Sequence, residues 1–362
     1  MRKKYLDNLK SFVVILVVIY HVIMMFTPII PLSVGSFSPV QYQDAYMYLV
    51  YPWFMVILFV VSGMSSRFYL EKHTVQEFRK SRTVKLLVPS TLALFVFHWI
   101  TGYFSMSAAG AFDSILSEVP GVVKYVIMAL SGQGVLWYIQ LLWIFSMVLS
   151  FFHKWEKGKL YELCGKMSFP MIAALAVPLW FFGQILNTPV ITVYRFGLYG
   201  FSFLAGYFVF ANDKVMEKVS QHWLFTSIAA GVMGVAYTVF YFGENFADAP
   251  VNRSVFTMVF TWTAVLAVLG VMKRFWDKET VFFRFANKRS FGLYVFHYTT
   301  MAAAAYYIFP TNVPVVLKYG IAAAAAFAGG YILYELFSRL PFFRWVLLGI
   351  SHKEVTRKSE RC

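Results

Sequence analysis

Asp7, Lys10 and His21 put an acid, a cation and a base near the start of the chain, with the apolar run from Phe12 to Tyr20 between the second and third. Lys10 and His21 are eleven residues apart. Three helical turns cover that interval, so a helix projects both from one face, with Asp7 a turn before Lys10. A histidine at membrane depth is costly unless it faces protein or trapped water, which makes it a functional candidate. Two roles fit His21. One is a hydrogen bond to a neighbouring helix; the other is a general base, since an imidazole with a reference pKa of about 6.5 takes and returns a proton near neutrality.

Few other polar groups lie inside apolar segments. His297, seven residues after Ser290, suits either structural hydrogen bonding or the wall of a polar cavity, as does Tyr294 a turn before it. His98 lies nearer the expected outer boundary, where it can meet water. Ser62-Gly63 offers a hydroxyl and close backbone approach. Glu335 precedes Arg339 by four residues, the spacing of a local ion pair, and a place in the cavity is the alternative. The basic stretch Arg79 to Lys85 is either an anchor on anionic lipid, worth about 1 kcal/mol per residue, or a phosphate clamp built from Arg79, Arg82 and Lys85. The in-span histidines lack ligand spacing within one helix and have no carboxylate pair beside them, so no metal is implied.

The elements that position these groups read as ten apolar segments, each near the ~20 residues that cross a bilayer. They run from about Leu9 to Pro28, Ala45 to Ser66, Leu86 to Tyr103, Gly134 to Phe152, Met167 to Leu186, Ile191 to Phe210, Trp223 to Phe242, Ser254 to Met272, Ser290 to Phe309 and Lys318 to Phe337. With the N-terminus inside, only Lys124, Arg195, Arg253 and Lys318 of the 32 Lys and Arg residues fall outside. That asymmetry predicts an all-α polytopic membrane protein of about ten helices with both termini cytoplasmic; the plasma membrane is the expected location. Residues 122–130 are apolar but too short to cross, which suits an outer interfacial or re-entrant helix. The first segment lacks a small-residue cleavage site and reads as a retained span. There is no internal repeat and no linker, so residues 1–362 read as one domain, with 338–362 a cytoplasmic tail.

Composition agrees. The 362 residues are 59% hydrophobic and 14% charged, with a mean hydropathy of +0.63, where soluble domains carry about 25% charged residues. A net charge of +15 would suit nucleic acid, but the basic residues are clipped into short loops between apolar segments. No nucleic-acid partner is expected. Cys164 and Cys362 lie on the expected inner side and read as reduced thiols.

Taken in order, these stretches resemble the integral-membrane acyltransferase family three, which includes O-antigen, peptidoglycan and glucan O-acyltransferases. Lys10, ten residues, then His21 is similar to the family's Arg, ten residues, His, and the preceding Asp7-Asn8-Leu9 commonly introduces it. Phe59-Val60-Val61-Ser62-Gly63 resembles its Phe-x-x-Ser-Gly, Arg82 to Pro89 its Arg-x-x-Arg stretch leading to proline, and Leu136-Trp137-Tyr138 its Leu-Trp-aromatic entry. Ser290 to His297 resembles its Ser-x-x-x-Tyr-x-x-His, and Pro341 to Gly349 a common ending. Lys10 and Lys85 stand where the family patterns have arginine. Lysine keeps the charge and loses the planar fork that grips phosphate or carboxylate at two points.

The resemblance implies transfer of an acyl group, acetyl above all, from a cytosolic acyl-CoA to a hydroxyl of a cell-surface or lipid-linked carbohydrate. It implies His21 as base with Lys10 and Asp7 beside it, Arg79, Arg82, Lys85 and Ser62 toward the donor, and Tyr294, His297, Trp137 and Glu335 in the cavity. An exporter using the same polar path is the rival, and a lipid-linked glycosyltransferase with outer carboxylates a further one.

Overall fold

The computed structural model describes residues 3–31, 33–156, 158–188 and 193–350. Cys362 and the end of the expected tail lie outside them, as do the first two residues of the span expected from Ile191. The described chain is helical, and its β pairing is one isolated bridge, Asn187 with Arg195. In chain order the helices are α1 (Lys4–Met24), α2 (Ala45–Leu70), α3 (Val75–Arg82), α4 (Val88–Ala93), α5 (Trp99–Ala108) and α6 (Gly121–Ser131). Then come α7 (Trp137–Glu156), α8 (Lys159–Cys164), α9 (Phe169–Ala174), α10 (Ala176–Gln184), α11 (Phe196–Ala205) and α12 (Asp213–Gln221). The rest are α13 (Trp223–Tyr241), α14 (Val255–Phe275), α15 (Val281–Ile308), α16 (Val315–Ala324), α17 (Gly330–Arg339) and α18 (Pro341–Leu348). Wider π turns at Thr83–Leu87, Leu94–His98, Gly206–Phe210 and Ala325–Gly329 continue α3, α4, α11 and α16.

Among the described residues, seven stretches are long and apolar enough to cross a membrane: Lys4–Met24, Tyr42–Leu70, Val75–Ala108, Gly134–His153, Trp223–Tyr241, Val255–Phe275 and Val315–Arg339. The other three expected spans fall on the shorter Phe169–Gln184 and Phe196–Phe210 and on α15, whose tyrosines and histidine lower its hydropathy. The segment 169–184 is broken at Leu175, because Pro178 has no N–H to give the carbonyl of residue 174. α6 is 11 residues long, consistent with a helix that does not cross.

Contacts cluster the chain into two compact units, each assembled from distant segments. The first holds Met1–Leu16, Tyr42–Arg79 and Ile144–Asn287. Its centre is α2, 83% buried over its most apolar window. α2 meets α11 where Gly63 and Gly206 face each other's partner strand of backbone: a Cβ on Gly63 would overlap the Phe203 carbonyl oxygen, and one on Gly206 the Val60 carbonyl oxygen. The carbonyl of Ile172, at the break between α9 and α10, accepts from Trp262 Nε1 at 2.9 Å, so α14 supplies the partner that hydrocarbon cannot. α13 is only 17% buried. Leu224, Ile228, Val232, Val235 and Val239 line its open side at helical spacing, the surface of a helix solvated by lipid tails.

The second unit holds Val17–Gln41, Lys80–Trp143 and Lys288–Cys362. α5 and α6 pack as a pair, and α18 lies on α4, closed by Gly349 at φ +62°. Lys318, one of the four expected outer cations, is 5% exposed. Its Nζ donates to the carbonyls of Phe309 (2.6 Å) and Thr311 (2.7 Å) and sits over the Phe37 ring, pinning the end of α15.

Candidate active site

α1 is unbroken through both Lys10 and His21, so the spacing seen in the sequence becomes about 16 Å of helical rise, at 1.5 Å per residue. In the second unit, His21 meets α15. Its Nδ1 lies 3.1 Å from His297 Nε2. His297 Nδ1 in turn lies 2.9 Å from the Leu293 carbonyl oxygen and 3.0 Å from that of Tyr294.

The network assigns the tautomers. A carbonyl oxygen only accepts, so His297 carries its proton on Nδ1 and offers a lone pair at Nε2. His21 must then donate from Nδ1; its ring also hydrogen-bonds the Val17 carbonyl one turn back, and a neutral ring with its proton on Nδ1 keeps Nε2 unprotonated. The result is a neutral imidazole oriented by a second histidine, which is itself fixed by backbone. Burial divides the labour further. His297 is 0% exposed, whereas His21 keeps accessible surface.

The surroundings hold both rings in place. Tyr298 packs edge-on to His21 at 5.2 Å between centroids, and Tyr20 does the same from the neighbouring position at 5.3 Å. Tyr294 donates through its hydroxyl to the Val135 carbonyl. Thr101 and Thr299 share a hydrogen bond of 2.6 Å between hydroxyls. Gly330 lets α17 lie against His297, since a Cβ there would already stand 3.3 Å from its backbone nitrogen. His98 is buried as well, and its Nε2 has no hydrogen-bond partner.

The N-terminal part of α1 belongs to the first unit. Lys10 Nζ donates to Ser65 Oγ at 2.8 Å, and Ser65 bonds back to the Val61 carbonyl at 2.8 Å. Asn8 explains the motif that precedes Lys10. Its Nδ2 donates to the carbonyls of Trp276 (2.8 Å) and Lys278 (2.9 Å), and its Oδ1 accepts from Asn287 at 2.9 Å. Ser11 closes the network on Asn287 Oδ1 at 2.5 Å. Outside the membrane segments, the Arg284 guanidinium, helped by Lys4, holds the Glu279 carboxyl below its usual range and fastens the same loop. Asn8→Ala is therefore expected to cost roughly 3 kcal/mol, from about 1 kcal/mol per buried hydrogen bond. Thermal unfolding in detergent would register it as a lower midpoint.

Of the other sequence candidates, Arg79 donates from Nε to Ser150 Oγ at 2.7 Å and covers the Phe151 ring. Arg82 ends α3, and Lys85 is exposed on the π turn that follows. Ser62 is 8% exposed on α2, beside the helix contact made by Gly63. Trp137 begins α7, half-buried. Glu335 pairs with Arg289 of α15 at 3.2 Å, in place of the local partner Arg339 that spacing suggested. Ser65, Asn287 and Tyr298 were not singled out in the sequence. Ser65 carried a signal, a hydroxyl beside Ser62 near the end of an apolar span. Asn287 sat among basic residues with none.

No curated protein and no solved structure matches the chain. The model of the acyltransferase domain of family three does match it, over residues 3–335. That match runs from the first described residue through the His21–His297 pair to Glu335, and the chain belongs to this family: it is a multi-pass membrane acyltransferase.

Proposed function

We propose that the protein moves an acyl group, acetyl in the first instance, from a cytosolic acyl-CoA to a hydroxyl of a cell-surface or lipid-linked carbohydrate, with His21 as general base. The observation that carries this is the His21–His297 contact, which leaves His21 Nε2 with a free lone pair. His21 Nε2 takes the proton of the acceptor hydroxyl as its oxygen attacks the thioester carbonyl. The C–S bond breaks, and the leaving thiolate recovers that proton from the imidazolium. His297 Nε2 accepts from His21 throughout and steadies the positive ring.

Lys10, about 16 Å along α1 from His21, holds a donor phosphate, with Asp7 a turn away. Arg79, Arg82 and Lys85 hold the donor's phosphates, and Ser62 lies toward the donor. Tyr294, Trp137 and Glu335 line the acceptor side. The chain works as one membrane domain in the plasma membrane, crossing ten times with both termini in the cytoplasm. Family membership favours an enzyme over the exporter that the sequence left open.

Labelled acetyl-CoA supplied to membranes tests the reading. Label should appear in glycan, with one free thiol per group transferred. Thiol release without acylated carbohydrate would overturn the acceptor assignment. In the same assay Lys10→Met is expected to raise the KM for the donor on the order of tenfold, the loss of one charge-assisted hydrogen bond. Lys10→Arg, which keeps the charge, should retain most of the wild-type rate.

A further inference from the structure

The first unit holds one buried and one half-buried arginine that nothing in the chemistry above uses. Arg195, before α11, is 6% exposed. Its Nη2 donates to the Asn252 carbonyl at 2.9 Å, while its Nε is buried with no partner. Arg253, the residue after Asn252, also has a buried Nε without a partner, and it is close enough for its charge to oppose that of Arg195. Among the described residues, neither arginine pairs with a carboxylate. Asp248, the acid of the adjoining loop, is instead bonded to Asn245 at 2.8 Å.

A buried charge without a counter-ion is costly, and Arg195 has both lost its water and gained a like-charged neighbour. The same spot also leaves acceptors unfilled. Asn252 Oδ1 and Asn187 Oδ1 are buried without partners. Asn187 is bridged to Arg195 through backbone, and its Nδ2 is spent on the Gly183 carbonyl at 3.1 Å. Orphan cationic donors beside orphan neutral acceptors call for one kind of guest: an oxyanion with hydroxyl groups next to it.

We infer that Arg195, Arg253, Asn252 and Asn187 form a binding site for an acidic sugar, the arginines taking its carboxylate or phosphate and the asparagine oxygens its hydroxyls. The inference rests on the proposed carbohydrate acceptor and narrows its class. On the proposed topology this end of the first unit faces the outside, where cations are otherwise scarce.

The test is ligand-induced stabilisation of the full chain in nanodiscs of neutral lipid, titrated with glucuronate, glucose 6-phosphate or glucose, with sodium chloride at matched ionic strength as reference. Saturable stabilisation by glucuronate or by glucose 6-phosphate is expected, with glucose at least tenfold weaker. The tighter of the two acids identifies carboxylate or phosphate as the natural group. Arg253→Gln, at the less buried of the two arginines, should weaken that binding on the order of tenfold, the loss of one charge-assisted hydrogen bond. The site is overturned if both acids act no differently from sodium chloride, if glucose binds as well as they do, or if Arg253→Gln and Arg195→Lys both bind unchanged. Because the readout involves no acyl transfer, its failure leaves the His21 assignment standing, and loss of that assignment leaves this readout intact.

Discussion

Replacing His21 by alanine is expected to reduce acyl transfer on the order of 10²–10⁴-fold, the range contributed by a positioned general base, at an unchanged level of folded protein. The argument is geometric. His21 is the more accessible member of a histidine pair whose buried member is tied to two carbonyls, and the proton count around the pair leaves its Nε2 unprotonated. Initial rates with labelled acetyl-CoA, normalised to protein recovered from membranes, measure the effect. Undiminished transfer in His21→Ala would remove the base from the mechanism. Because a base must be unprotonated, the wild-type rate should also fall on the acid side of its profile as the ring takes a proton.

In the proposed mechanism His297 acts through His21, and its variants separate positioning from packing. Leucine at 297 fills space but accepts nothing, so His21 loses the bond that fixes its tautomer. Glutamine can still present an oxygen toward His21 Nδ1. His297→Leu should therefore lower kcat with little change in KM, and His297→Gln should restore part of the loss. A purely structural role would reduce the amount of folded enzyme while leaving the kcat of each folded molecule alone.

How much of this could be read from the sequence differs by element. The register of Lys10 and His21 was legible because a helix converts spacing directly into a shared face, and α1 is one unbroken helix. The His21–His297 contact was not, since the two are 276 residues apart and no local rule pairs them. Glu335 shows the same limit from the other side. The four-residue rule suggested Arg339, but α15 brings Arg289 within 3.2 Å, and a pair across helices leaves no periodic trace. The spans were read from apolar length, which succeeds where a helix is uniformly apolar. It says less at 169–184, where a proline divides the helix, and on α15, where the histidine and tyrosines that build the site dilute the apolar signal.

Ser62-Gly63 shows a functional and a packing explanation competing for one motif, and Gly63→Leu separates them. The side chain would enter the space held by the Phe203 carbonyl and by the backbone nitrogen of Tyr207, which already stands 2.8 Å from an ideal Cβ. Neither can retreat, because both belong to the helical backbone that α2 packs against, and Gly206 presses equally closely on Val60. Small residues are what allow helix backbones to approach so closely in a membrane, where packing rather than the hydrophobic effect holds helices together. Overpacking a tight core costs about 1–3 kcal/mol where side chains can yield, and more is expected here because backbone is the obstacle. Gly63→Leu should therefore leave little folded protein after detergent extraction, with Gly206→Leu behaving alike. Ser62→Ala leaves that contact intact, so its folded yield should match wild type. If Gly63→Leu instead folds normally and loses only activity, the close approach is not what holds α2 in place, and the motif serves the donor site alone.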